Sequence, residues 1–204
     1  MLPNYKPKDW PKSQSLFKKV MKFKTLIVTA AVLLVSSCKI NGSFQGLYGY
    51  YNKTNLRVPE LFINHTNISN CNLNEITSNK IVITTGELLK SCIPQDKTII
   101  YMWSPKCRSK FCYDLNLLQQ LCNQKKINLL IVAEYYDFKS MTTEYYLKNP
   151  IFGIDTEYYK TNLTSKYSAL FYEDLINQKT VVHRLLYFEK GVYKDSYTTI
   201  NEIN

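Results

Sequence analysis

The sequence predicts an α/β domain, a mixed β-sheet flanked by helices, preceded by a basic and apolar N-terminal segment and an irregular lead-in. Three observations carry this expectation. From residue 80 onward, β-branched and apolar runs alternate with segments of helical periodicity, which places a central sheet between layers of helix. The runs TIIYMW (98–103) and INLLIVA (127–133) are apolar without alternation, as strands buried on both faces are. Two final strand patterns are joined by Glu189-Lys190-Gly191, a hairpin signal that makes the sheet mixed.

Each element has a local reason. Lys80–Thr84 (KIVIT) is a β-branched run and reads as a strand. Thr85 to Cys92 (TGELLKSC) opens on a capping-type Thr and reads as a short helix. Thr98–Trp103 is the next strand. In 107–124, Phe111, Leu115, Leu118 and Cys122 fall at offsets 0, 4, 7 and 11, which is one face of a helix. Ile127–Ala133 is a strand, 140–148 a short helix, and Pro150–Ile154 a short extended piece. Thr164–Asn177 carries Tyr167, Leu170, Phe171 and Leu175 at helical spacing. Arg184–Phe188 and Val192–Tyr197 form the closing hairpin. No internal repeat is visible.

Composition narrows the function classes. Of 204 residues, 45% are apolar and 21% charged, which excludes a disordered polymer, a collagen-like repeat and a multi-pass membrane protein. The net charge of +10 is unevenly placed. Residues 1–37 hold seven Lys and one Asp, so six of the ten net charges precede the folded part and the rest carries +4. A body at +4 without a basic stripe has no nucleic-acid footprint. His65 and His183 are the only histidines, and no Cys/His cluster has zinc spacing, so neither a metal nor another cofactor is expected.

The N-terminus reads as an export signal. Lys18, Lys19, Lys22 and Lys24 precede the apolar run Leu26–Val35, which is too short to span a bilayer. The run closes in Val35-Ser36-Ser37-Cys38, which resembles the lipobox of bacterial lipoproteins. That resemblance implies cleavage before Cys38, fatty acylation of Cys38 and attachment to a membrane of the cell envelope. Several acyl chains on one residue give stable anchoring. Alternatives are a signal cut elsewhere or a short transmembrane anchor. Lys39 stands where an Asp would retain an enterobacterial lipoprotein on the inner membrane, and so favours the outer membrane. Met21 is followed by a complete signal of its own, so translation starts at Met1 or Met21. The expected division is 1–37 signal peptide, 38–79 lipid-anchored tether and lead-in, and 80–204 folded domain.

Export gives the cysteines meaning. Cys71, Cys92, Cys107, Cys112 and Cys122 remain besides Cys38, an odd number in an oxidising compartment. Cys122 lies on the apolar helix face and reads as a core thiol. Cys71 and Cys92 have two readings, a bridge tying the lead-in to the domain or two free thiols. Cys107 follows a buried strand and opens the 107–124 segment. At a helix start beside Lys106, Arg108 and Lys110, its thiol would be acidified and reactive. The alternative is an inert cysteine kept for packing or half of a permanent bridge. In an unbroken helix a Cys107–Cys112 bridge is out of reach, because five residues rise about 7.5 Å and turn about 140° past one turn. Such a bridge needs the first helical turns to unwind or never to form.

The order of elements and Trp103-Ser104-Pro105-Lys106-Cys107 together resemble the thioredoxin superfamily over about residues 80–199. The resemblance implies a thioredoxin-like sheet and a reactive Cys107, with Lys110 in place of the second Cys of CxxC and His183 near the position of that family's cis-Pro. Ser104-Pro105-Lys106-Cys107 followed by Cys112 also resembles the one-helix, bacterioferritin-comigratory class of peroxiredoxins. There Ser104 matches the hydroxyl before the peroxidatic Cys, Cys112 the resolving Cys, and Arg184 the active-site Arg, while Ile100 replaces the family's Pro. Together these imply thiol redox chemistry in the envelope, with Cys107, Cys112 and Arg184 as site residues and envelope protein thiols or peroxide as partners. The third reading is a non-enzymatic envelope lipoprotein that keeps the fold without the activity.

Overall fold

The structure is a computed structural model and describes residues 46–64, 76 and 80–203. The expected signal peptide, Cys38 and Cys71 lie outside the described residues. Seven strands form one sheet: β1 (Phe62–Asn64), β2 (Ile81–Thr84), β3 (Thr98–Trp103), β4 (Asn128–Ala133), β5 (Ile151–Ile154), β6 (Leu185–Glu189) and β7 (Val192–Tyr197). Their spatial order is β1-β2-β5-β4-β3-β6-β7. The first five run parallel, and β6 and β7 are antiparallel to their neighbours. The α/β expectation with a mixed sheet therefore holds.

Among the described residues the α-helices are α1 (Tyr51–Asn55), α2 (Gly86–Ser91), α3 (Leu115–Gln124), α4 (Phe138–Met141) and α5 (Thr164–Ile176). Strand alternation divides the core into two layers. Ile99, Tyr101, Trp103, Leu129 and Ile131 pack with Leu115, Leu118 and Cys122 of α3 on one face. Ile100, Met102, Leu130, Val132 and Phe152 pack with Leu89 of α2 and with Tyr167, Phe171 and Leu175 of α5 on the other. Because both faces are covered, β3 is buried at every position, and this is why its sequence shows no polar alternation. Gly86 lets α2 approach α5 closely, since a Cβ there would meet the Phe171 carbonyl and the Leu175 backbone nitrogen.

Most boundaries agree with the sequence within a residue or two. Thr85 caps α2 by accepting from Leu88 N–H at 3.2 Å. Lys190 and Gly191, at φ 53° and 72°, make the two-residue turn of the closing hairpin, where both central residues take positive φ.

Two expectations are corrected. The 107–124 helix is confined to Leu115–Gln124, and its predicted first turns are irregular chain. The predicted apolar-face residue Phe111 is 53% exposed. Asp114 is the true N-cap, accepting from Leu117 N–H at 3.0 Å. Residues 140–148 hold only the end of α4, because Asp137 caps that helix from further upstream through Ser140 N–H. Pro150–Ile154 is extended as expected, and pairing gives it a place: β5 is a central strand between β2 and β4. The lead-in also contributes to the sheet, because β1 adds a parallel edge strand beside β2 and Tyr51 and Phe62 pack on the α3 side of the core.

Candidate functional site

Open α/β sheets place their sites beyond the carboxyl ends of parallel strands. Here β3 ends at Trp103 and β4 at Ala133, and the antiparallel β6 begins beside them at Leu185. Ser104, Glu134 and Arg184, the next residues outward on the three strands, therefore meet at one end of the sheet. Arg184 Nη1 donates to Ser104 Oγ at 2.8 Å and to the Met102 carbonyl at 3.4 Å. It also lies 3.2 Å from Glu134 Oε2, which accepts the Ser104 hydroxyl. The Glu134 side chain is 18% exposed, so its charge is partly desolvated and has a cation and a hydroxyl in compensation.

Beyond this cluster lies the Cys107–Cys112 disulfide, with its Cα atoms 6.0 Å apart. The bridge forms because the helical turns it would oppose never form. Both cysteines are half-buried in an otherwise exposed loop. Ser109 sits between them, its hydroxyl 3.5 Å from each sulfur. The loop is anchored at both ends. Lys106 N–H donates to the Tyr135 hydroxyl at 2.9 Å, and the Ser140 hydroxyl donates to the Pro105 carbonyl at 3.2 Å. Tyr113 N–H donates to the buried Tyr101 hydroxyl at 3.0 Å, and the Tyr113 hydroxyl accepts from Ile200 N–H at 3.1 Å.

Cys107 is thus not at a helix start, and the dipole argument for an acidic thiol does not apply to this geometry. The basic neighbours remain. Lys106 Nζ pairs with Asp137 at 2.7 Å, and Lys110 Nζ lies over the Phe111 ring at 5.2 Å. Burial raises the Asp137 carboxyl, but hydrogen bonds from Lys106 and Ser140 outweigh it and hold the group below its usual range.

Two hollows flank the loop. One, of about 720 Å³, is lined by Cys107 with Lys106, Arg108, Asp137 and Lys139. The other, of about 350 Å³, is lined by Phe111, Val182, His183, Arg184 and Thr198. His183 Nδ1 lies 2.9 Å from Thr198 Oγ1.

The remaining cysteines differ in kind. Cys122 is free and fully buried, and burial pushes its thiol up to about 12. Cys92 is disulfide-bonded, which removes the reading of a free thiol there, while Cys71 lies outside the described residues. No group of three His, Cys, Asp or Glu among the described residues is placed to hold a metal ion. Nor is any described helix long and apolar enough to cross a membrane.

The structure therefore brings Cys107 and Cys112 together and carries Arg184 to Ser104 at their base. Sequence reasoning missed Glu134, Tyr135, Asp137 and Ser109. Glu134 had one visible signal, a carboxylate placed directly after a buried apolar strand. No family model, no curated protein and no solved structure matches this chain.

Proposed function

We propose that this chain is a cell-envelope lipoprotein anchored through acylated Cys38, and that Cys107 and Cys112 form a thiol–disulfide redox couple. One observation carries the reading: an i, i+5 disulfide in an accessible loop, directly beyond the carboxyl end of the most buried parallel strand. A structural bridge gains most by closing a long loop, whereas this one closes a very short one. The β2-α2-β3-α3-β4 unit followed by α5 and the β6–β7 hairpin supports a thioredoxin-like core. In that comparison β5 is an extra strand between β2 and β4, and β1 an extra edge strand.

A second reading is a thiol peroxidase using the same cysteines. The contact between Arg184 and Ser104, at the end of the strand that leads into the Cys107 loop, favours it, because a hydroxyl and a guanidinium are donors that would polarise a peroxide. The third reading, a non-catalytic lipoprotein, makes the bridge a local staple.

One experiment separates them. The reduced protein is exposed to peroxide or to a small disulfide, and Cys107–Cys112 re-formation is followed by mass spectrometry after alkylation. A disulfide exchanger re-forms the bridge faster with the disulfide and traps a mixed disulfide on Cys107 in Cys112→Ser. A peroxidase consumes peroxide far faster than free cysteine does, and Cys107→Ser abolishes this. If neither oxidant re-forms the bridge, the staple reading stands. Anchoring has its own test: a clickable fatty acid should label the wild type and not Cys38→Ala.

A further inference from the structure

We infer that the Cys107 side of the loop selects thiols and disulfides that carry negative charge, and that Cys107 is the sulfur they meet. This rests on the redox reading of the Cys107–Cys112 bridge. The hollow of about 720 Å³ holds the Cys107 side of the bridge and brings Lys106, Arg108 and Lys139 around it. Asp137 is the sole carboxylate in that lining, and it is already committed to Lys106. Among the described residues neither Arg108 nor Lys139 makes an ion pair, and both are exposed. Two uncompensated cations therefore stand on the approach to a sulfur. The hollow on the other side of the loop is lined by Ser109, Phe111, Val182, His183, Arg184 and Thr198 and by neither cysteine, and its one arginine is already paired with Glu134.

The chemistry needs only the incoming thiol. A thiolate RS⁻ attacks Cys107 Sγ, the Cys107–Cys112 bond breaks, and Cys112 leaves as a thiolate. The Ser109 hydroxyl, 3.5 Å from each sulfur, is placed to donate to it. A second RS⁻ attacks the substrate sulfur of the mixed disulfide, releasing RSSR and the Cys107 thiolate. Two thiols have lost two electrons and the bridge has gained them; the reverse sequence oxidises the protein. Each attack spreads negative charge over three sulfurs, and an anionic substituent adds to it. Cations lining the hollow favour both, within the Debye length of about 10 Å at 0.1 M salt.

The test uses the oxidised protein and three thiols of similar size: 2-mercaptoethanesulfonate, 2-mercaptoethanol and cysteamine. Bridge opening is followed by acid quench, alkylation and mass spectrometry. Each rate is divided by thiolate concentration and by the rate on a neutral model disulfide. At low salt the sulfonate should lead and cysteamine trail, with a spread of about tenfold that shrinks to about twofold near 0.5 M salt. The Arg108→Glu/Lys139→Glu variant, altered at exposed positions, should reverse the order. Peptide mapping should place the first mixed disulfide on Cys107. Equal normalised rates in the wild type, with the bridge opening, overturn the charge selection while the redox reading survives. A mixed disulfide on Cys112 overturns the assignment of the attacked sulfur. If no thiol opens the bridge, the redox reading fails and this inference falls with it.

Discussion

Replacing both cysteines of the bridge, Cys107→Ser with Cys112→Ser, asks whether the bond serves the fold or the chemistry. The closed loop spans a sequence separation of five. The chain-entropy relation for so short a loop sets an upper bound of about 2 kcal/mol on its stabilisation. The structure lowers the expectation further. Lys106 and Tyr113, the residues immediately outside the bridge, are already fixed by Tyr135 and Tyr101. The unfolded chain is constrained by the bond, but little native order depends on it. The double variant should therefore lose about 1–2 kcal/mol, roughly 2–8 °C in melting temperature for a domain of this size. By the same thermodynamic cycle the fold favours the oxidised pair by that amount, or about 20–45 mV at 30 mV per 1.4 kcal/mol. Urea unfolding of wild type and variant, under conditions that leave Cys92 bonded, measures the difference, and the denaturant slope should not change. A loss above about 4 kcal/mol, or a slope change showing a disordered end of the sheet, would refute the reasoning and make the bridge a staple of the fold.

Three further outcomes follow from the geometry around the site. A double-mutant cycle of Arg184→Met and Glu134→Gln should give a coupling of about 1–2 kcal/mol, between the exposed and buried limits for ion pairs; a value below about 0.3 kcal/mol means the contact is not held in solution. Asp114→Ala should cost about 1 kcal/mol by removing the α3 cap, and in the wild type amide exchange at residues 113–118 should be alike in oxidised and reduced protein, because Asp114 and Tyr113 hold the helix start; slowed exchange extending back to Cys107 on reduction would show a helix that grows. Cys122 sets an alkaline limit. Its thiol ionises near 9 when unfolded and near about 12 when folded, so stability is full below pH 9 and falls through the 9–12 window. Against Cys122→Ala, the wild type should lose roughly 1 kcal/mol more per pH unit there, as read by urea unfolding at pH 8, 9.5 and 10.5; parallel curves would contradict a buried, protonated thiol.

Legibility in the sequence followed the range of the interaction responsible. β3 and β4 were readable because burial on both faces forces unbroken apolar runs, and the closing hairpin because its turn needs two positive φ values. The start of α3 was misplaced for a specific reason. Phe111 completes a helical pattern that looks like a core face, yet in the structure it stands exposed, and the local cap at Asp114 overrides the pattern. That misplacement carried the thiolate argument with it, since a helix dipole acts only on a group at the helix end. The sequence did state the right condition for a Cys107–Cys112 bond: no helix between them.

Other features had no local signature. Nothing in Pro150–Ile154 says that it enters the middle of the sheet, because a four-residue strand reads the same at the centre and at the edge; its place comes from pairing with β2 and β4. Glu134 and Arg184 are fifty residues apart and acquire a common site only when β4, β3 and β6 align. The chain by itself determined the class of fold, the buried strands, the core cysteine and the pair of cysteines able to bond, since these depend on hydrophobic periodicity and on separations of a few residues. Tertiary structure alone decided which charges surround that pair and that Ser104, Glu134 and Arg184 meet at one end of the sheet, because contacts between distant segments are set by the order and direction of strands and not by neighbours in sequence.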